Sequence, residues 1–441
     1  MAPMNTTGAA SSPSREIALD LYRSAAVMLV VIGHWLLSVM TYRDGEFGRD
    51  NPLELMPWTQ WLTWGFQVVP VFFAVAGYAS AVSWSRHDPA TSRQEWIRRR
   101  VARVLGPTAV YAGFVLVVMG VLHLAGIDGQ VLELGGWAVA MHLWFLAVYL
   151  MVVALTPIAV AAHERWGIAV PAVLAACLIV VDVVGISTGH QEIRMANYFF
   201  CWATIYQLGI AWHGGLLGRR ALVGMAAAAA AALPMLVTWG PYPIAMIGVP
   251  GDRVENSAPP SLALLALATA QIGVLFAIVP LLNRALSRGA WRRVIAVANN
   301  NVMALYLWHM LPVIVVTVIA YPAGLLPQPP LGSGMWWLAR LEWELVLAVV
   351  TAALLCLLFW QRRIFAAPVP TFAVPVPAAA AEVMLYAGTG ACALALSLLS
   401  ANGFAPHGRF PVTTVVLFAA GALLVAARPK VPSVDQYTSR T

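Results

Sequence analysis

The sequence predicts an all-α, polytopic transmembrane helical bundle, and two observations support that prediction. Of the 441 residues, 61% are hydrophobic and only 10% are charged, whereas soluble domains carry about 25% charged residues. Apolar stretches of ~20 residues, long enough to cross ~30 Å of hydrocarbon, recur along the whole chain. A chain in water cannot bury so much apolar surface, so the composition excludes an ordinary soluble protein.

Twelve segments are apolar enough to be membrane spans. Their approximate limits are 17–40, 60–84, 102–125, 138–160, 168–187, 197–213, 221–239, 260–283, 294–320, 336–360, 382–400 and 411–427. Because repeated proline blocks a regular helix, the Pro/Ala-rich stretch at 365–381 is interpreted as a linker. We therefore predict a disordered cytoplasmic tail at 1–14, a ten-span core at 15–364, and a C-terminal transmembrane hairpin with its tail at 382–441.

The basic residues predict the orientation of these spans. With the N-terminus inside and spans alternating, nineteen of the 26 Lys and Arg residues fall in inside segments and six in outside segments. This asymmetry predicts a multi-pass protein of the inner (plasma) membrane with both termini in the cytoplasm. The arginines lie in short loops, so we interpret the net charge of +7 as membrane orientation and predict no nucleic-acid partner.

Ionisable residues in the first span are the first candidate site. Asp20 and Arg23 are three residues apart, and eleven residues separate Arg23 from His34. At ~100° per residue these three side chains share one helix face, with ~16 Å between Arg23 and His34 along the axis. They are interpreted either as an interfacial pair plus a structural histidine, or as catalytic residues with His34 as a general base.

Two further segments carry polar residues within apolar sequence. Three asparagines precede Tyr306 and His309 in the ninth span, which indicates either a capped helix start or a site. His142 and Trp144 open the fourth span, where they line a vestibule or lie at the interface. Asp182 in the fifth span, and Glu342 and Glu344 in the tenth, are candidate partners for Arg23, Arg194 or Arg340.

A basic cluster follows the second span. Arg99, Arg100 and Arg103 lie at a predicted helix start on the inside. Arginine presents forked donors that suit phosphate groups, but charge alone favours simple anchoring of the adjacent span. The four cysteines lack metal-ligand spacing, so no metal site is predicted.

Five short motifs occur together in a fixed order. They are Asp-x-x-Arg-x10-His in the first span, Phe-Phe-x-x-x-Gly-Tyr in the second, Arg-x-x-Arg-x-x-x-Pro just inside, His-x-Trp-Phe-Leu in the fourth and Tyr-Leu-Trp-His in the ninth. In this order the chain resembles the membrane-bound acyltransferase family 3, the bacterial O-acyltransferases, over residues 15–364. Two positions depart from the usual pattern, since Ser24 follows the first-span arginine and Ala76 precedes the second-span glycine.

The resemblance implies a function and assigns roles. Members transfer acetyl or other short acyl groups from cytoplasmic acyl-CoA to a hydroxyl of a glycan, lipid or small molecule, with no bound cofactor. The resemblance makes His34 the catalytic histidine, with Arg23 and Asp20 beside it, and makes Arg100 and Arg103, with Arg99, the acyl-CoA-binding arginines. His309, Tyr306, Trp144 and His142 would line the site.

Two other functions fit an intramembrane histidine. One is a proton-coupled transporter or exporter of a small metabolite, in which intramembrane His and Asp residues form a proton relay. The other is a membrane scaffold, in which buried ionisable residues cost free energy and serve neither a reaction nor transport. A basic inner loop beside the first-span site favours the acyltransferase, because a transporter does not need it.

Overall fold

A computed structural model describes residues 16–287 and 289–430 of the chain. Three quarters of it is helical and nine of its helical segments are long and apolar enough to span a membrane. The prediction of an all-α polytopic membrane protein is therefore confirmed. The predicted tail at 1–14, the basic residues Arg15, Arg288 and Arg440, and the end of the C-terminal tail lie outside the described residues.

The chain order of the helices follows the sequence prediction closely. The first ten are α1 Ile17–Leu37, α2 Pro52–Leu55, α3 Thr63–Phe66, α4 Val69–Ser85, α5 Arg93–Leu124, α6 Gly129–Ala138, α7 Trp144–Ala154, α8 Thr156–Trp166, α9 Ala169–Thr188 and α10 Gln191–Arg194. The others are α11 Asn197–His213, α12 Arg219–Trp239, α13 Leu262–Ala285, α14 Gly289–Trp308, α15 Met310–Ala320, α16 Gly334–Trp360, α17 Arg362–Phe365, α18 Ala378–Asn402 and α19 Val412–Ala426. Three 3-10 turns are also present, at Pro57–Leu62, Met141–Leu143 and Pro406–Gly408.

Among the described residues, nine helical segments, or ten with the bent pair α14 and α15, are long and apolar enough to span a membrane. The other two of the twelve predicted spans each fall on a single short helix. The helix α11 has 17 residues and α19 has 15. Most of α11 is buried inside the bundle, so polar residues such as Asn197 and Gln207 have protein neighbours instead of lipid. Its low hydropathy follows from this central position.

A short β-hairpin, which the sequence analysis did not predict, extends the chain beyond α1. Strand β1, Val39–Arg43, pairs antiparallel with β2, Glu46–Asp50. The two residues between them, Asp44 and Gly45, have φ values of 54° and 88°, as the two central positions of a type I′ turn require. An Asp-Gly pair is typical of that turn. Here the pair lies only a few residues after the apolar first span, where no hairpin was predicted.

The predicted ninth span is bent. Helices α14 and α15 meet at an angle of 51°, with His309 between them. Pro312 lies in the first turn of α15, and a proline ring clashes with the carbonyl four residues earlier, here that of Trp308. Because α14 begins at Gly289, the three asparagines lie within the helix and do not cap it, contrary to one interpretation of the sequence.

Close contact between α4 and α11 forms the centre of the bundle. A Cβ atom added to Gly77 would lie 2.0 Å from the carbonyl oxygen of Tyr206, and one added to Gly209 would lie 2.0 Å from that of Ala74. The two backbones therefore touch, as small residues permit in membrane helices. The glycine of the second-span motif is thus required by packing.

The chain after α17 follows an extended path along α5. The amide of Val369 donates to the carbonyl of Ala102 at 3.1 Å. Strand β3, Phe372–Val374, then pairs parallel with β4, Ala427–Pro429. We call residues 367–371 the strap; they lie within the stretch interpreted from sequence as a linker.

Candidate active site

One cavity in the bundle collects four of the ten predicted site residues. It has a volume of about 40 Å³, which leaves room for only a few water molecules. Its lining comes from α1, α4, α7 with the preceding turn, and α14: Ala26, Val27, Val30, His34, Val69, Phe72, His142, Trp144, Phe145 and Tyr306. Four predicted site residues, His34, His142, Trp144 and Tyr306, therefore share one cavity.

His34 belongs to a chain of hydrogen bonds that determines which of its ring nitrogens carries the proton. The Nδ1 atom of His309 lies 2.7 Å from the carbonyl oxygen of Tyr306, which only accepts, so this nitrogen carries the proton. The Nε2 atom of a neutral His309 is then an acceptor, and it lies 2.8 Å from Nδ1 of His34. A neutral His34 thus donates through Nδ1 and keeps an unprotonated Nε2, the state that a general base needs.

His309 supports His34 without lining the cavity. Its side chain is fully buried, and the two imidazole rings stack with centroids 5.1 Å apart. The indole nitrogen of Trp35 donates to the backbone carbonyl of His309 at 2.9 Å, which ties α1 to the bend. His309 therefore lies behind His34, where the sequence analysis expected it to line the site.

His142 is buried without side-chain partners. It is 2% exposed, and neither ring nitrogen makes a hydrogen bond of normal geometry with a described residue, although the backbone of Leu307 has a weaker polar interaction with the ring. Its ring contacts those of His309 and Tyr306, with centroid distances of 5.0 and 5.2 Å. An imidazole that lines a cavity with both nitrogens available can bind a polar group of a ligand.

Aromatic side chains enclose the rest of the cavity. Phe72 and Phe145 meet edge to face at 4.9 Å, and Trp144 packs on Trp202 at 5.6 Å. The Tyr306 hydroxyl donates to the backbone carbonyl of His142. Phe72 and Phe145 were not predicted as lining residues, although both belong to motifs that are visible in the sequence.

The other polar group of α1 lies about 16 Å from His34 along the helix. Arg23 Nε donates to Asn299 Oδ1 at 2.6 Å, and Asn299 Nδ2 donates to Asp20 Oδ1 at 2.8 Å. Asn299 thus links both charged residues of α1 to α14. The sequence analysis did not identify this role, although Asn299 precedes His309 by ten residues, much as Arg23 precedes His34.

The three predicted arginines separate into two environments at one end of the bundle, which we call the arginine end. Arg100 Nη1 donates to Ser80 Oγ at 3.2 Å, and its guanidinium lies 4.4 Å from the Trp96 ring centroid. Arg99 and Arg103 instead line a groove of about 370 Å³. The spacing of Arg100 and Arg103 suggested a shared site, but the side chains diverge because only Arg100 packs against α4.

The groove is formed by the start of α5 and the strap. Its lining residues are Glu95, Arg98, Arg99, Ala102, Arg103 and 368–371. Arg99 is paired with Glu95 at 2.7 Å, whereas exposed Arg103 has no hydrogen bond or ion pair within residues 16–287 and 289–430. Helix α4 spans the distance between the two sites, since Val69 lines the cavity and Ser80, ~16 Å further along, contacts Arg100.

Comparison with known proteins gives one match. No curated protein and no solved structure matches the chain. A family model described as an acyltransferase domain matches residues 16–361 and so covers most of the chain, including every residue of the cavity. The resemblance found in the sequence is confirmed, and this multi-pass membrane protein belongs to acyltransferase family 3.

Proposed function

We propose that this membrane acyltransferase is an O-acyltransferase that transfers an acetyl or other short acyl group from cytoplasmic acyl-CoA to a hydroxyl of a glycan, lipid or small molecule. The observation that carries the proposal is the hydrogen bond from His34 Nδ1 to His309, which leaves Nε2 of a cavity-lining imidazole unprotonated. A general base requires such a nitrogen. The small volume of the cavity supports a short acyl chain.

In the reaction that we propose, His34 accepts a proton and later returns it. Nε2 of His34 takes the proton of the acceptor hydroxyl, while the hydroxyl oxygen forms a bond to the thioester carbonyl carbon. The carbon–sulfur bond then breaks, and the departing thiolate recovers the proton from His34 as the thiol of CoA. The products are an ester and free CoA, and the enzyme returns to its starting state.

Two other cavity residues have roles in this mechanism. The carbonyl oxygen of the thioester gains negative charge as the hydroxyl attacks, and a donor aimed at it lowers the barrier. No described residue accepts a hydrogen bond of normal geometry from the ring N–H of His142, so it is suited to donate that bond. The aromatic walls of Phe72 and Phe145 exclude water that would hydrolyse the thioester.

The arginine groove is the proposed docking site of the CoA phosphates. Arg103 supplies a guanidinium without a partner among the described residues, and Arg99 can exchange Glu95 for phosphate. Arg23 and Asp20 lie along the path from this end of the bundle to His34, where they steady the pantetheine arm or the developing charge. Arg100, held by Ser80 and Trp96, is the third arginine of the proposed donor site.

The proposal includes an orientation. The arginine end faces the cytoplasm, where acyl-CoA is available, and both termini lie on that side. The acceptor is then reached within or across the inner membrane of a bacterium, and cell-envelope glycans and antibiotics are both suitable acceptor classes.

The test is release of CoA thiol from acetyl-CoA by detergent-purified protein. Wild-type protein should release thiol slowly, and His34→Ala should lower the rate at least about a hundredfold. His123→Ala is the matched control, because His123 is exposed at the end of α5. Equal rates for wild type and His34→Ala would contradict the role of His34, and failure to bind or consume acetyl-CoA would contradict the donor.

A further inference from the structure

The last two helices lie outside the family match, yet they are bonded to the core at both ends. At the arginine end, the buried guanidinium of Arg98 donates to the carbonyls of Val425 and Ala427 at 3.0 and 2.9 Å. Gln94 on the same helix donates to the carbonyl of Ala378 at 2.9 Å. Both the start of α18 and the end of α19 are therefore attached to α5.

At the opposite end, the connection between α18 and α19 packs directly on α6. The amide of Phe404 donates to the carbonyl of Gly136 at 3.2 Å. A Cβ on Gly136 would lie 3.0 Å from the amide nitrogen of Ala405, and one on Gly403 would lie 2.8 Å from that of Trp137. Gly403 also has a φ of +78°, which favours glycine. This backbone contact lies in the last turn of α6.

Ser400 of α18 reaches the turn that carries His142. Its hydroxyl donates to the backbone carbonyl of Met141 at 2.7 Å, and Met141–Leu143 form the 3-10 turn between α6 and α7. The next carbonyl, that of His142, accepts from the Tyr306 hydroxyl. Two successive carbonyls of this turn are thus held from opposite sides, one by the core and one by the C-terminal helices.

This matters for His142 because its side chain makes no hydrogen bond of normal geometry with a described residue. The direction of its ring depends on the position of its backbone and on ring contacts with Tyr111, Tyr306 and His309. Phe404 also contacts the ring of Tyr111 at 6.3 Å. Whatever shifts the turn therefore shifts His142 relative to His34.

We infer that α18 and α19 are part of the catalytic unit, and that Ser400 is a positioning residue that holds His142 in the cavity through the carbonyl of Met141. The inference rests on the proposed function, in which His142 donates to the thioester carbonyl. It assigns a role in the reaction to a segment that the family match does not include. A misplacement of ~1 Å at a reacting group can cost a hundredfold in rate, so a lost anchor has a measurable effect.

The test compares Ser400→Ala with two matched variants. Ser397→Ala removes the same hydroxyl one turn earlier, on an exposed position of α18, and Ser400→Thr keeps the hydroxyl. For CoA release from acetyl-CoA, Ser400→Ala should lower kcat about tenfold and leave KM within about twofold. Ser397→Ala and Ser400→Thr should retain the wild-type kcat, since neither loses the bond to Met141.

A second measurement does not depend on activity. Hydrogen exchange followed by mass spectrometry should show faster exchange in residues 139–146 of Ser400→Ala, and no change there in Ser397→Ala. Equal kcat and equal exchange in the two alanine variants would overturn the positioning role. Faster exchange with an unchanged kcat would leave Ser400 a purely structural anchor and also overturn it. Wild-type protein that releases no CoA would instead refute the proposed function, and exchange would then still decide whether Ser400 orders the turn.

Discussion

Two buried polar groups in this bundle are built in opposite ways. In the first, Asp182 and Arg194 are fully buried and paired at 2.7 Å. The second oxygen of Asp182 accepts from the Tyr242 hydroxyl and the Leu262 amide, at 2.8 and 2.9 Å. The remaining guanidinium nitrogens of Arg194 donate to Gln191 and to the backbone of Glu255.

The histidine cavity is left partly unsatisfied. His34 has an unprotonated nitrogen, and neither ring nitrogen of His142 makes a hydrogen bond of normal geometry in the part of the chain that the structure describes. Burying unpaired polar groups costs free energy. A fully hydrogen-bonded network stabilises the fold. A cavity with unpaired polar groups makes the fold less stable, but its donors and acceptors are available to bind a substrate.

The largest expected effect is on the satisfied network. Asp182→Ala leaves the Arg194 guanidinium buried without its carboxylate, which should destabilise the protein by about 3–5 kcal/mol. The melting temperature of the detergent-purified protein measures this. CoA release per folded molecule should not change, because Asp182 lies outside the cavity.

Asp50→Ala is the control for that prediction. It removes the hairpin pair between Arg43 and Asp50, whose arginine side chain is 67% exposed, so it should cost less than about 1 kcal/mol. Equal melting temperatures for the two variants would show that the buried pair is not the main anchor of this region.

The second effect concerns the bond that orients His34. His309→Leu removes the acceptor of the His34 Nδ1 proton and should lower kcat about a hundredfold, as loss of an orienting partner does in other catalytic sites. His309→Gln retains an acceptor oxygen and should recover most of the rate. If both variants lose kcat equally, packing and not the hydrogen bond supports His34.

A smaller effect is expected in the groove. Arg103→Ala should raise KM for acetyl-CoA about tenfold with kcat nearly unchanged, because the phosphates bind equally in ground and transition states. Arg292→Ala removes an exposed arginine from the start of α14 and is the charge-matched control. Equal changes in KM for both variants would indicate general attraction by net charge.

The smallest effect concerns the loop next to the satisfied network. Burial, reinforced by the nearby Asp252 carboxylate, raises the pKa of the Glu255 carboxyl above its ordinary value. Since the pKa in the folded protein is the higher one, this residue stabilises the fold most at low pH, and the contribution is lost as pH rises through that pKa. At pH 8, Glu255→Gln should therefore be more stable than wild type, by less than about 1 kcal/mol. The exposed Glu54→Gln should show no such gain.

Much of the fold was predictable because each span must be apolar whatever surrounds it. Helical periodicity also correctly placed Arg23 and His34 on one face. The partner of Asp182 was one of three arginines that sequence alone could not separate. The pairing of His34 with His309 joins residues 275 positions apart, so no local pattern in the sequence reveals it.

The arginine cluster shows the same limit of sequence reasoning. Helical spacing puts Arg100 and Arg103 near each other, but the contacts with Ser80 and the strap direct them apart. Ser400 is a stronger case, since it belongs to a segment without any motif and its bond to Met141 follows only from the fold. Local pattern identifies candidate residues, and tertiary contacts decide which of them act together.

The central claim is that the protein transfers an acyl group from CoA to a hydroxyl with His34 as the general base. The most direct measurement is transfer of label from radiolabelled acetyl-CoA into solvent-extractable, non-protein material in membranes that contain wild-type protein, His34→Ala or His123→Ala at equal amounts. We predict an alkali-labile labelled ester with wild type and His123→Ala, and about a thousandfold less with His34→Ala. Equal labelling with His34→Ala would contradict the account.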